Sequence, residues 1–192
     1  MMAKQDDLAV LGTGLAAWEP TMRCKAAGWN VAVVNDGPFG STCAVRGCIP
    51  KKILAGTAEI LDINRRLAEM GIVEERPEAS WQELIKFKRT FTDPVSPGVE
   101  HELREAGIDV YEGSPRFVGR QQIEVDSHLL EGRKVYIAVG AKPATLPIEG
   151  SERLMISDDF LQLDDLHLTG TSSRPLSRRR GQSVSRFSST VT

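Results

Sequence analysis

Two of the three cysteines in this 192-residue chain, Cys43 and Cys48, stand five positions apart in the run GSTCAVRGCIPKK, residues 40–52. On a regular helix, positions five apart are about 140° apart around the axis and about 7.5 Å apart along it. A disulfide needs Cβ atoms within about 4.5 Å. The two sulfurs can therefore meet only where a helix is distorted or has not begun. Gly47 relaxes the backbone just ahead of Cys48, and Pro50 suits the first turn of a helix. Cys48 is thus expected near a helix N-terminus, where the dipole and the cations Arg46, Lys51 and Lys52 would stabilise a thiolate. Such a thiolate serves as nucleophile, metal ligand or electron donor. Three readings stay open on the residues alone: an inert buried pair, a metal site, and a redox-active dithiol. A zinc site needs two more ligands, and Cys24, His101, His128 and His167 lie scattered without ligand spacing. Cys24 reads as a small core residue.

A second motif precedes the cysteines. Gly12-Thr13-Gly14-Leu15-Ala16-Ala17 matches the G-x-G-x-x-G/A pattern of dinucleotide-binding turns. The first glycine permits the tight turn and the second lets backbone approach a pyrophosphate. The small third residue, Ala17, lets helix and strand pack so that phosphate meets the helix N-terminus. The ribose-binding carboxylate belongs at the end of the next strand, where Asn35 stands with Asp36 beside it; a neutral acceptor binds a hydroxyl less strongly than a charged one.

The elements needed to position these residues are legible around them. DLAVLG, residues 7–12, is an apolar run ending in glycine, as a buried strand would be. Residues 13–28 read as turn and helix, with Pro20 an anomaly that predicts a kink or a late helix start. Residues 30–34 form a second apolar strand, and strand, glycine turn, helix and strand make a βαβ unit with parallel pairing. Residues 51–70 carry apolar residues at helical spacing and end at Gly71. Two more helices are expected over 81–91 and 97–106. Short strands are expected at 108–111, 117–118, 122–125 and 135–139. The fold class is α/β: a Rossmann-like domain with a parallel sheet and a small antiparallel addition over residues 1–166.

Composition narrows the function. Hydrophobic residues make up 41% and charged residues 26%, as in a soluble globular protein. No apolar run approaches the roughly 18–20 residues of a membrane span. The acidic N-terminus does not resemble a secretory signal, so a cytoplasmic protein is expected; there, close cysteine pairs are more often catalytic, redox-sensing or metal-binding than structural. Of the 24 basic residues, five arginines fall after residue 168 with no acid among them, against 26 acidic residues in all. The body is therefore acidic and gives no reason to expect nucleic acid. Residues 167–192 are rich in serine, threonine and arginine and are expected to be disordered. Their abrupt change of character is what a frameshift near residues 166–169 would produce.

GTGLAA together with GSTCAVRGCIPKK resembles the pyridine nucleotide–disulfide oxidoreductases, which include glutathione reductase, dihydrolipoamide dehydrogenase and mercuric reductase. Their signature reads approximately G-G-x-C-x-x-x-x-G-C-x-P-[ST]-K. The resemblance runs from about Asp7 to about Leu166 and takes in IAVGAKP (137–143) and SDDFLQLDDL (157–166). KFKRTFTDPV (86–95) points to the branch of glutathione and mercuric reductases. The resemblance implies bound FAD, with electrons passing from NAD(P)H through flavin to the cysteine pair and on to a small disulfide. It implies that Cys43 attacks substrate, that Cys48 lies against the flavin, and that Lys52 sits near flavin N5. Gly12, Gly14 and Ala17 would hold the pyrophosphate. Asn35, Asp36, Gly40, Ser41, Thr42, Val139 and Gly140 would complete the nucleotide site.

The chain also departs from the pattern. Ser41 replaces the second glycine, Lys51 the usual Ser/Thr, Val139 a threonine and Asn35 an acid. Family members continue with an NAD(P)H-binding domain and a dimer-interface domain that supplies a His-Glu pair from the other subunit. Neither is expected here, so weak or no turnover is expected of this chain. The competing reading is a non-catalytic nucleotide-binding or thiol- or metal-binding fragment.

Overall fold

A computed structural model describes residues 4–75 and 77–166. The expected tail lies outside the described residues. The elements follow the chain as β1 (Lys4–Leu11), α1 (Leu15–Ala26), β2 (Val31–Asn35), α2 (Thr42–Arg46), α3 (Cys48–Glu69), α4 (Trp81–Thr92), α5 (Val95–Glu105), β3 (Asp109–Glu112), β4 (Arg116–Phe117), β5 (Gln122–Val125), β6 (His128–Ile137) and α6 (Ser157–Phe160), with a 3-10 turn at Ser151–Arg153 before α6.

One six-stranded sheet, in the order β3-β2-β1-β6-β5-β4, organises the chain. β3, β2, β1 and β6 run parallel, while β6, β5 and β4 form an antiparallel meander. The expected α/β class with an antiparallel addition is what the sheet shows. Parallel strands are covered on both faces, so β1 and β2 read as continuous apolar runs. Val31 to Val34 are all at most 1% exposed. Leu8, Val10, Val31 and Val33 join Ala17, Phe39, Leu103 and Ile108 in one core. Ala9, Leu11 and Val34 join Ile123, Val125 and Leu130 in a second, so the meander folds over the opposite face. Cys24 packs at the margin of the first core, as a small core residue should.

Two expectations change. β6 starts at His128, seven residues ahead of the expected strand, and ends at Ile137. Its first half carries the polar run that begins at Glu131 and becomes strand by pairing with Lys4–Asp6 on one side and β5 on the other. Helix α1 starts at Leu15 and takes Pro20 inside it rather than starting late. Its start is fixed upstream: Ala17 and Trp18 donate their N–H groups to the Gly14 carbonyl.

Asp6 is the polar misfit of the central strand. It is 4% exposed, and neither carboxylate oxygen has a hydrogen-bond partner. Burial pushes its pKa above the usual 3.8; the nearby Lys4 opposes this, and Asp109 and Asp7 reinforce it. The folded chain therefore holds the Asp6 proton more tightly than the unfolded chain does. Stability should fall as pH rises through 3.8 toward the raised pKa, and stay lower above it. Asp6→Asn is expected to stabilise the fold at pH 7 by about 1 kcal/mol. In urea denaturation that gain should shrink as pH approaches 4; a gain independent of pH would contradict the assignment.

Candidate functional site

The carboxyl ends of β1 and β2, the residues just past β6 and the N-terminus of α1 enclose a cleft of about 430 Å³. This is where ligands bind on open parallel sheets. Gly12 has φ +103°, and an added Cβ would lie 2.4 Å from the carbonyl oxygen of Ala138. The glycine thus permits the close passage of the chain leaving β6. Gly14 caps α1, and an added Cβ there would meet no protein atom within 4 Å. It faces open space where a phosphate can approach helix N–H groups. Ala17, 1% exposed, packs in the core beneath the turn instead of lining the cleft.

Of the other residues expected at a nucleotide, Asn35, Asp36, Gly40, Thr42, Val139 and Gly140 line this cleft. Ser41 does not: its hydroxyl caps α2 by accepting from the Ala44 N–H at 3.1 Å. The Asn35 amide is turned inward. Its Nδ2 donates to the Gly37 and Pro38 carbonyls, and its Oδ1 accepts from the Thr13 hydroxyl at 3.2 Å. Thr13, absent from the expected set, also accepts from the Gly40 N–H at 3.0 Å. Its signal was a hydroxyl residue between the two glycines. These bonds fix the 37–40 turn and leave the exposed Asp36 as the carboxylate at the end of β2, shared with an adjoining cleft of about 370 Å³.

The cysteine segment folds as two helices with Gly47 at the break, as the spacing requires. An added Cβ on Gly47 would lie 2.9 Å from the Thr42 carbonyl oxygen and 3.3 Å from the Cys43 Cα. That close approach brings the start of α3 back onto α2. Cys43, half-buried on α2, and Cys48, exposed at the first position of α3, are both free thiols whose side chains interact. Hydrogen bonding with Cys48 first, then burial, pushes the Cys43 thiol above its ordinary range, and the Lys51 charge pulls it down.

Of the two lysines, Lys51 lines a second groove with Cys48, whereas Lys52 is exposed on α3 and lines neither groove. Lys51, a departure from the family motif, is thus the one of the two lysines that shares a groove with Cys48. This groove, about 900 Å³, runs between α3, α4 and the 157–166 segment. Arg46 and Ser157 line both it and the nucleotide cleft. Arg46 also pairs with Asp158 at 3.7 Å. Dithiol and cleft are therefore neighbours across a shared wall. No group of three or more His, Cys, Asp or Glu side chains among the described residues is arranged to hold a metal ion. No described helix is long and apolar enough to cross a membrane.

This arrangement has known relatives. A dihydrolipoyl dehydrogenase of Bacillus subtilis (strain 168) is 29% identical over 181 residues, covering 86% of this chain and 38% of the relative. A glutathione reductase of Burkholderia cepacia is 28% identical over 163 residues, covering 84% of this chain and 36% of the relative. The chain thus spans little more than a third of the length of these relatives. Among solved structures, the Cu(II) complex of a mutant of RclA, an HOCl-induced flavoprotein disulfide reductase from Escherichia coli, superimposes with a TM-score of 0.71. It is 23% identical, covers 86% of this chain and 36% of that chain, and speaks for the fold. The family model of the pyridine nucleotide-disulphide oxidoreductases matches residues 6–175, and this chain belongs to that family.

Proposed function

We propose that this chain is the flavin-nucleotide and dithiol portion of an NAD(P)H-dependent disulfide reductase, with FAD in the cleft and Cys43–Cys48 as the redox pair. The observation that carries the reading is the wall of Arg46 and Ser157 common to the nucleotide cleft and the Cys48 groove. The cleft suits the cofactor. Gly14 is open at the α1 N-terminus, Arg46 and Lys142 supply positive charge for a diphosphate, and Asp36 is free to accept ribose hydroxyls. Asn35, Gly12, Gly40, Ser41 and Ala17 shape the turns that hold those groups. Thr42, Val139 and Gly140 line the remainder, and Lys52 would stand near the flavin ring. Bound FAD would supply a two-electron relay between pyridine nucleotide and the protein disulfide.

The thiols do the rest. The Cys43 thiolate attacks one sulfur of a small substrate disulfide, forming a mixed disulfide and expelling one thiolate, which takes up a proton. Cys48 then attacks the Cys43 sulfur, closing the protein disulfide and expelling the second thiol. Two electrons leave the protein, so the Cys43–Cys48 disulfide would have to be reduced again before the next cycle, which is the chemistry that bound FAD would supply. Lys51, facing the pair, favours the thiolate needed for attack. Substrates of the glutathione-disulfide kind, a homodimeric full-length protein and a cytoplasmic setting belong to this reading. The NAD(P)H-binding and interface domains of the family follow the portion matched here.

An anaerobic reductive titration tests it. With FAD bound and the pair oxidised, the chain should take up two electrons for the flavin and two for the disulfide, whereas Cys48→Ser should take up only two. Flavin that binds but is reduced with two electrons in both forms would favour a non-catalytic nucleotide-binding fragment. A chain that binds no flavin would exclude both flavin readings.

A further inference from the structure

The segment that forms the common wall is pinned from outside the site. Residues 157–166 follow no long element of their own, yet four side chains of α4 hold them. Lys88 Nζ donates to the Leu161 carbonyl at 2.8 Å, a contact across 73 positions that is buried. Trp81 Nε1 donates to the Leu163 carbonyl at 3.0 Å, and the Trp81 ring lies 5.7 Å from that of Phe160. Arg89 pairs with Asp164 at 2.6 Å, and Gln82 Nε2 donates to Asp165 at 2.7 Å.

Lys88 is the unusual member. It is 1% exposed, the largest of the fully buried side chains among the described residues, and lies within the segment 86–95 that resembles the branch of glutathione and mercuric reductases. Desolvation, with the neighbouring Arg89 charge, holds its amine below the usual range, against the opposing Asp93 and Asp164. A methionine would fill the same space without desolvating an ammonium. What the ammonium adds is direction: one charge-assisted bond fixing one carbonyl. That carbonyl ends the turn carrying Ser157 and Asp158, which line the cleft at the end shared with the Cys48 groove.

We infer that Lys88 is a positioning residue for the redox site: from α4 it sets the wall of Ser157 and Asp158 between the flavin end of the nucleotide cleft and the cysteine pair. The inference deepens the proposed function and rests on it for the identity of the cofactor. It predicts a selective defect. On this reading ADP would need only the half of the cleft near Gly14 and Asp36, whereas FAD would extend to the far end. In Lys88→Met, FAD affinity should fall about tenfold while ADP affinity is unchanged, the loss of one hydrogen bond from a charged donor. The melting temperature should change little, relief of the buried charge offsetting the lost bond to the Leu161 carbonyl. Lys88→Arg should recover part of the FAD affinity.

Two further measurements keep the test decisive. Hydrogen exchange of the 155–165 backbone, without any cofactor, should quicken about tenfold in Lys88→Met and stay constant in β1. It reads the pinning itself, so it separates failure of this inference from failure of the flavin reading. If Lys88→Met does not fold, Trp81→Phe keeps the ring against Phe160, removes the bond to Leu163, and should show the same selectivity for FAD over ADP. Equal losses for FAD and ADP, or unchanged exchange at 155–165, would overturn the assignment.

Discussion

Replacing Cys43 or Cys48 by serine is expected to lower dithiol-dependent disulfide reduction by on the order of 10³-fold or more, since neither sulfur alone can complete the exchange. The effect can be read without turnover. Treated with oxidised glutathione, the wild-type chain should lose two of its three thiols as an internal disulfide, leaving Cys24. Each serine variant should stop at the mixed disulfide, visible as a glutathione adduct by mass. The electrostatics add a signed expectation. Because Cys48 is the main cause of the raised Cys43 pKa, Cys48→Ala should move the pH midpoint of Cys43 alkylation downward. A midpoint that stays or rises would mean that the two side chains do not communicate, and the dithiol reading would lose its geometric basis.

The two glycines of the first turn should fail in different ways. Gly12→Ala places a methyl group 2.4 Å from the Ala138 carbonyl oxygen at φ +103°, so both the backbone and the neighbouring chain must yield. The expected loss is about 3 kcal/mol or more, enough to lower the melting temperature by roughly 10 °C. Gly14→Ala meets nothing within 4 Å at φ −73° and should cost less than about 1 kcal/mol as a poorer cap. Its methyl group instead occupies the space through which a phosphate reaches the helix. FAD and ADP affinity should both fall, by about tenfold or more, in a chain that still melts cooperatively. If urea curves and binding isotherms show the two substitutions behaving alike, the division between a structural and a ligand-facing glycine is wrong.

The contrast between these positions also marks how far the sequence could be read. Local chemistry was legible: the apolar run before Gly12, the need for a break between Cys43 and Cys48, and Gly47 as the place for it. These follow from backbone constraints within a few residues. What depended on distant partners was not. The run 131–134 in the middle of β6 is polar and contains a glycine, and the strand continues through it because β1 lies alongside. Asn35 stood at the ribose-binding position by its place at the end of the second strand, but Thr13 and the 37–40 turn claim its amide, leaving Asp36 as the carboxylate there. Nothing local to the 81–91 helix marks Lys88 for burial, and only the carbonyl 73 positions away explains it. The difference between Lys51 and Lys52 likewise rests on how α3 is rotated, which the motif does not specify.

The order of strands in the sheet has a consequence for biosynthesis. β1 is synthesised first, yet one of its two neighbours, β6, emerges about a hundred residues after β2. At translation rates of about 5–20 residues per second, one edge of that apolar strand waits roughly 5–20 s for its partner. During that interval the nascent βαβ unit offers unpaired backbone to any passing strand. Chaperone dependence and ribosome-bound aggregation should therefore be sensitive to anything that delays residues 128–137 from leaving the exit tunnel.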